Sequence, residues 1–340
     1  MIENGYKPNE CDKCIYSKSW NNLHVIISLY VDDMLIFGSN MHVINEAKNT
    51  LKSHFDMKDL GEVNFILGKH VIEYFLINYI MLRKYNFHDH KSVATPFDSS
   101  VHLFPVNNDG EIFNQKDYAS IIGSLRYAIG CTRPDIAYAV RILSRFTSKP
   151  SKDHWLAIER VMRYLIGIKS YGLFYKKYHV VIEAFSDVDW NTLSSDSLST
   201  ISYIFTLGSG AICRKSKKQT IIANSTMEAE LIALASTSEE ANWLRDLLYE
   251  IPLWEKPIPP ILIHCDSTTT IGRVKNRYYN GKSRPIKRKH NTMRSYLSSG
   301  IITVDYIKSN ENLADPFTKA LAKYRVWNTS RGMGLKSIKS

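Results

Sequence analysis

The segment 180–190 constrains the fold of this chain more than any other stretch. Its first residues are almost all apolar or β-favouring, which predicts a buried strand, yet it closes with the acids Asp187 and Asp189. A core strand rarely ends in unpaired acids, because burying a charge without a partner costs free energy. The segment therefore predicts a strand that delivers an acid to a site at its own end.

Further acids downstream lie in similar contexts. Ser225 and Glu228 have capping-box spacing and predict the start of a long helix, on whose apolar face Glu230 lies. A second apolar strand, 260–266, also closes with an acid, and a last predicted helix opens with another. The order strand, helix, strand, helix predicts four acids that converge at one end of a sheet. These four are Asp187, Glu230, Asp266 and Asp315.

Four carboxylates at close quarters repel one another unless cations neutralise them, and hard oxygen ligands suit Mg²⁺ or Mn²⁺. Two such ions can hold a water and a leaving oxygen in line across a scissile phosphodiester. Taken singly, each acid is also compatible with a helix cap or a charge at the rim of the core. The order of the four acids favours a metal site over these alternatives.

Short motifs surround these acids: Phe185-Ser186-Asp187, Ala229-Glu230-Leu231, Cys265-Asp266-Ser267 and Leu313-Ala314-Asp315. In this order the motifs resemble ribonuclease H, and more closely the C-terminal part of the Pol polyprotein of copia-type LTR retrotransposons. The resemblance implies that the four acids are catalytic ligands of two Mg²⁺ or Mn²⁺ ions. It also implies a substrate, the RNA strand of an RNA–DNA hybrid.

A second pair of acids, Asp32 and Asp33, lies between the apolar runs 24–31 and 34–38 and predicts the tip of a hairpin. Because Asp tolerates turn conformations, a simple turn is the alternative explanation. The sequence Tyr30-Val31-Asp32-Asp33, in its wider context, resembles the metal-binding palm hairpin of copia-type reverse transcriptases. The resemblance implies that both acids are residual polymerase metal ligands.

The chain departs from the family pattern in its palm and its nuclease. The palm also uses an Asp from an earlier strand, whereas Asp12 lies in a polar stretch without a predicted strand. We therefore expect polymerase activity to be lost through truncation. In the family a basic residue is normally followed here by His and Ile, whereas this chain has Pro285. Residues 308–312 lack the His that many ribonucleases H carry between the last strand and the acid that corresponds to Asp315.

The stretch between Asp266 and Asp305 contains no acid and carries nine Lys and Arg residues, in a chain of net charge +11. Such a run is often a solvated loop or a localisation tract. Its place beside Asp266 favours a phosphate-binding flank instead. The candidate nucleic-acid-binding residues are Arg273, Lys275, Lys282, Arg284, Lys287, Arg288, Lys289 and His290.

Targeting and cysteine signals are sparse. The five cysteines include one CxxC, Cys11 to Cys14, without a second pair, which disfavours a zinc site and favours reduced thiols. No signal peptide is recognisable, and no apolar run reaches the ~20 residues of a membrane span. We expect an intracellular, non-secreted protein, either cytoplasmic in a virus-like particle or nuclear.

Together these features predict an α/β (α+β) fold. We expect a partial reverse transcriptase palm and thumb at 1–100, a helical connection at 101–178, and a ribonuclease H-like mixed sheet with flanking helices at 179–335. The expected partners are an RNA–DNA hybrid or RNA/DNA template and, in a polyprotein, other Pol segments, but no membrane. The alternative is a catalytically inactive, nucleic-acid-binding relic of a retroelement.

Overall fold

A computed structural model of the protein describes most of its 340 residues. The described residues are 1–61, 65–66, 69–70, 77–87, 89–105, 113–175, 181–190, 198–252, 254–279, 281 and 283–337. The chain divides into two compact units, one made of 1–73 with 239–260 and the other of 74–238 with 261–340. Asp32 and Asp33 therefore belong to the first unit, and the four acids of the predicted metal site belong to the second.

The first unit contains a four-stranded antiparallel sheet of β1 (Lys7–Pro8), β2 (Ile15–Trp20), β3 (Leu23–Tyr30) and β4 (Asp33–Gly38), in that order. Val25 and Ile27 of β3 alternate toward one face and pack there with the buried side of helix α1 (Met41–Lys52). The short strands β5 (Phe65–Ile66) and β6 (Lys69–His70) pair with each other. Since β3 and β4 pair across a tight turn, the hairpin predicted around Asp32 and Asp33 is confirmed.

The second unit begins with helices α2 (Ile77–Lys84), α3 (Gln115–Cys131), α4 (Ala137–Leu143) and α5 (Lys152–Gly167). Their apolar faces form one core, in which Leu125, Leu143, Ile158 and Leu165 are fully buried. Helix α5 begins with a capping box, because the Ser151 hydroxyl accepts from the backbone of His154 while the His154 ring accepts from Ser151.

The rest of the second unit is built around a five-stranded mixed sheet. Its elements, in chain order, are β7 (Tyr171–Leu173), β8 (Ile182–Asp189), β9 (Thr200–Leu207), β10 (Gly210–Lys218), α6 (Thr226–Tyr249), β11 (Ile261–Cys265), α7 (Thr268–Lys275), α8 (Arg284–Ser298), β12 (Ile302–Tyr306), α9 (Lys323–Gly332) and β13 (Leu335–Ser337). Of α6, residues 226–238 belong to this unit and residues 239–249 to the first. The strand order is β10-β9-β8-β11-β12, and β13 pairs separately with β7. The predicted mixed sheet with flanking helices is confirmed.

The sheet changes from antiparallel to parallel pairing at β8. Strands β10, β9 and β8 are antiparallel neighbours, whereas β11 is parallel to both β8 and β12. Because parallel strands end at the same edge, Asp187 of β8 and Asp266 after β11 reach one side of the sheet. The register pairs Ser186 with Cys265, so the two acids follow a matched pair of residues.

The chain around Asp315 differs from the prediction of a last helix that opens there. Asp315–Phe317 is an isolated 3₁₀ turn, closed by hydrogen bonds from the Thr318 and Lys319 amides to the Asp315 carbonyl (3.0 and 2.9 Å). The last α-helix, α9, begins only at Lys323. The acid is therefore held by a short turn rather than by the first turn of a helix.

In the part of the chain that the structure describes, no helix combines the length and apolar character needed to span a bilayer.

Candidate metal centre

The acid Asp187 lies within β8, on the side of the strand that faces the core. Its side chain is fully buried, and its two neighbours in the strand, Ser186 and Val188, are buried as well. The Thr318 hydroxyl donates to Asp187 Oδ2, and the Lys319 ammonium lies 3.1 Å from Asp187 Oδ1. Strand β8 thus carries a charged group into an apolar layer, where polar partners must compensate it.

Glu230 reaches the same site from the inner face of α6. The helix start is fixed by the Ser225 hydroxyl, which accepts from the Glu228 amide (3.2 Å), as the capping-box spacing predicted. Gln219 anchors the first turn further by donating to the Ala229 carbonyl (2.8 Å). Glu230 itself is 6% exposed, and its Oε2 atom has no hydrogen-bond partner among the described residues.

Asp315 is placed by Asn312, which ties its turn to the sheet. The buried Asn312 amide donates to the Ser186 carbonyl in β8 (2.9 Å), and its oxygen accepts from the Ala314 amide (3.0 Å). Asp315 is fully buried beside Asp187. Asp266, by contrast, is partly exposed and accepts a hydrogen bond from the Ser309 hydroxyl.

These elements bring the predicted acids into two overlapping clusters. Carboxylate oxygens of Asp187, Asp266 and Asp315 lie within 4.8 Å of one another. Ligand atoms of Glu230, Cys265 and Asp266 satisfy the same limit, so Asp266 belongs to both groups. Both clusters unite residues from separate stretches of the chain, and the three carboxylates of the first lie close enough to surround a divalent cation.

Burial dominates the electrostatics of this centre. It raises the pKa of Asp187 to about 7, an effect that Lys319 opposes and the carboxylate of Asp315 reinforces. Burial, together with the neighbouring carboxylates of Asp187 and Asp266, raises the pKa of Glu230 well above its ordinary value. Protons are thus retained because the centre concentrates negative charge away from water.

Among the described residues, two cations contact the acids, and neither was predicted from the sequence. Lys319 Nζ lies 3.1 Å from Asp187 Oδ1 and 3.2 Å from Asp315 Oδ1, while Arg325 donates to Asp315 Oδ2. Burial lowers the pKa of the Lys319 ammonium, but the two carboxylates outweigh it and raise that pKa. The i, i+4 spacing of Asp315 and Lys319 in the sequence could have indicated their ion pair. No comparable pattern in the sequence indicated the contact between Arg325 and Asp315.

The donor set fits a divalent metal. Glu230 offers a buried carboxylate oxygen that has no partner in the described part of the chain, which is costly unless a cation or a proton satisfies it. The remaining donors are carboxylate oxygens, the ligand type that Mg²⁺ and Mn²⁺ prefer. Cys265 is less suited, because burial raises the pKa of its thiol and keeps it protonated.

The predicted polymerase acids lie elsewhere, at the β3–β4 turn of the first unit. Asp32 and Asp33 are exposed, as are their neighbours Tyr30 and Val31. Val31 has a φ of 51°, a left-handed conformation that β-branched residues rarely adopt. Within the described ranges, neither acid belongs to a group of three potential metal ligands.

The predicted nucleic-acid-binding cations lie on α7 and α8, directly after Asp266. Lys275, Arg284, Lys287 and Arg288 are exposed, and Arg273 and Lys289 are partly exposed. Lys282 lies outside the described residues. His290 is fully buried, with Nε2 3.1 Å from the Arg273 carbonyl oxygen, so its ring packs between the helices and does not face a ligand.

Comparison with known proteins gives the family. A family model described as reverse transcriptase (RNA-dependent DNA polymerase) matches residues 1–97. The retrovirus-related Pol polyprotein from transposon TNT 1-94 of Nicotiana tabacum is 35% identical over 340 residues, covering 95% of this chain and 25% of that polyprotein. The corresponding polyprotein from transposon RE2 of Arabidopsis thaliana is 32% identical, covering 92% of this chain and 22% of its own length. The chain belongs to the copia-type retrotransposon Pol family.

This membership confirms the family predicted from the motifs. The chain spans about a quarter of the length of the Pol polyproteins it matches. Among solved structures, ribonuclease H1 from the halophilic archaeon Halobacterium salinarum is 15% identical, with 40% of this chain and 92% of that chain covered and a TM-score of 0.30.

Proposed function

We propose that this Pol segment hydrolyses the RNA strand of an RNA–DNA hybrid with the help of divalent metal ions. The observation that carries the proposal is the convergence of Asp187, Glu230, Asp266 and Asp315 from four separate stretches of the chain. Such a concentration of buried acids is typical of functional sites, because buried carboxylates destabilise the folded state unless cations or protons compensate them.

The four carboxylates would hold two Mg²⁺ or Mn²⁺ ions, with Asp266 common to both ligand groups. When bound, such ions lower the pKa of a coordinated water and stabilise negative charge on a phosphodiester. The side chains of the protein do the rest. Asn312 fixes the turn that carries Asp315, Thr318 holds the carboxylate of Asp187, and the buried walls limit access of bulk water.

The cations of α7 and α8 would hold the substrate. Exposed Lys and Arg residues beside a metal centre attract phosphates without reading base sequence. An RNA–DNA hybrid presents both a regular backbone and 2′-hydroxyl groups, which a backbone-reading site can distinguish from DNA. We propose Arg273, Lys275, Arg284, Lys287, Arg288 and Lys289 as this surface.

The same proposal has three further parts. They are the division into palm, connection and nuclease, the residual polymerase role of Asp32 and Asp33, and a partnership with other Pol segments. The match of a reverse transcriptase family model to residues 1–97 supports the first of these assignments. The compartment in which the chain acts stays a prediction.

A second candidate is a nucleic-acid-binding relic without turnover. One observation favours it: Lys319 and Arg325 already pair with Asp187 and Asp315, so part of the acidic charge is neutralised by the protein itself. In that case the folded unit would bind hybrid through α7 and α8 and leave it uncut.

Cleavage by the full chain separates the two candidates. A hybrid with a labelled RNA strand is incubated with wild type, Asp266→Asn and the control Asp305→Asn, in Mg²⁺ or Mn²⁺. Asp305 is an exposed acid in β12, outside both clusters. We expect cleavage by wild type and Asp305→Asn and none by Asp266→Asn, which keeps its shape but loses a ligand charge. Hybrid binding without metal-dependent cleavage by the folded wild type would favour the relic.

A further inference from the structure

A cleft of about 390 Å³ opens in the second unit, separate from the residues that form the metal centre. Its walls come from α5, β7 and α9, and its volume falls within the ~300–1,000 Å³ typical of ligand pockets. Four aromatic side chains contribute to the lining: Tyr164, Tyr171, Tyr324 and Trp327. Tyr324 and Trp327 are 72% and 49% exposed, so both rings are accessible to a ligand.

The rim of the cleft is positively charged. Lys323 and Arg331 of α9 line it, and both are exposed. The Arg331 guanidinium lies over the Trp327 ring, 4.6 Å from its centre, a cation–π contact that holds a positive charge against the aromatic lining. Tyr324, Trp327 and Arg331 recur at helical spacing, which places them on one face of α9.

The floor of the cleft is neutral. Asp135 is the only acid among the described residues that line it. Its carboxylate accepts hydrogen bonds from the buried Arg133 guanidinium (Nε to Oδ1, 2.9 Å) and from the Tyr164 hydroxyl (2.7 Å). Since the Arg133–Asp135 pair compensates itself, the net charge facing a ligand is that of the rim cations.

An aromatic interior with a cationic rim complements a flat, aromatic group joined to an anion. We propose that this cleft binds an unpaired nucleotide of a nucleic-acid single strand, with the base against Trp327 and Tyr324 and the phosphate at Lys323 and Arg331. A base within a duplex is stacked on its neighbours and cannot enter. An uncharged apolar ligand would leave the two rim cations unused.

Helix α9 connects this cleft to the metal centre. Arg325 lies on the same helix and donates to Asp315 Oδ2 and to the Ser309 carbonyl (2.6 Å). One helix thus contacts the cleft and the acids, and an α-helix with its side chains is only about 10 Å wide. The inference goes beyond hybrid cleavage and rests on the proposed function only for the chemical class of the ligand.

Fluorescence anisotropy of the full chain with a labelled oligouridine, in EDTA to prevent cleavage, tests the proposal. Trp327→Ala should weaken binding roughly five- to hundredfold, the effect of removing one stacked base from its aromatic partner. Trp327→Phe should retain most of the affinity, because it keeps a ring face. The matched control is Tyr249→Ala, which removes another exposed ring paired with a cation, Lys256 at 4.4 Å, outside the cleft; it should bind like wild type.

Two further measurements keep the outcome decisive. If Trp327→Ala does not fold, the surface variant Lys323→Glu with Arg331→Glu should still lose single-strand affinity. Hybrid duplex binding should be unchanged in Trp327→Ala, and oligouridine binding is measured in EDTA without cleavage, so failure here is distinct from failure of the cleavage proposal. Equal oligouridine affinity in wild type and folded cleft variants would overturn the inference, as would an equal loss in Tyr249→Ala.

Discussion

Replacing Asn312 by alanine should destabilise the second unit and loosen its metal centre. The substitution removes two buried hydrogen bonds, one to the Ser186 carbonyl and one from the Ala314 amide. Each backbone group left unsatisfied in the core costs about 1–3 kcal/mol. The free energy of unfolding should therefore fall by roughly 2–6 kcal/mol, and Asp315 should lose its fixed position against β8.

Urea denaturation followed by circular dichroism measures this loss. Hydrogen–deuterium exchange of the β8 peptide reports it locally, and a loss of ~2.8 kcal/mol corresponds to roughly hundredfold faster exchange. The matched control is Asn310→Ala, an exposed asparagine two positions earlier, which should stay within about 0.5 kcal/mol of wild type. Calorimetric titration with Mg²⁺ should show weaker binding by folded Asn312→Ala. Equal stability of the two variants would refute the anchoring role.

Three other outcomes are expected. Charge reversal of Lys287 and Arg288 should flatten the salt dependence of hybrid affinity, by roughly 0.9 log unit per log salt for each phosphate that is no longer neutralised; an unchanged slope contradicts the proposed surface. In the metal-free chain, folded Asp187 keeps a proton up to pH about 7 that the unfolded chain releases near its ordinary pKa of 3.8, so unfolding free energy should fall between those pH values. Asp187→Asn should flatten that fall in denaturation curves. Finally, the 340-residue chain should extend no primer, because the described residues place no third carboxylate with Asp32 and Asp33; incorporation that Asp32→Asn abolishes would contradict this.

The pairing of Lys319 and Arg325 with the acids affects how metal binding should be measured. Both side chains compete with a divalent cation for Asp187 and Asp315. A metal must displace or outweigh these ion pairs, so its apparent affinity should depend on ionic strength as well as on pH. Titrations at a single salt concentration would therefore give an incomplete comparison between variants.

The order of amino acids was enough to predict the local elements and to identify the acids. Continuous apolar runs predicted β8 and β11, because a strand buried on both faces has apolar side chains at most positions. Capping residues predicted the start of α6, and its apolar stripe turned Glu230 inward. These signals are local: each depends on residues within a turn or a few strand positions. The motifs then tied the acids to one family.

How those elements meet depends on long-range packing, which local patterns do not contain. The parallel register of Ser186 with Cys265 sets the spacing of Asp187 and Asp266, and register depends on long-range pairing that no local pattern contains. His290 belongs to a basic run in sequence, yet the packing of α7 and α8 buries it. Arg325 contacts Asp315 although an irregular segment separates them in sequence. The aromatic cleft is lined by residues of α5, β7 and α9. Such contacts arise because side chains distant in sequence share one closely packed interior, where position in space determines charge pairing and exposure.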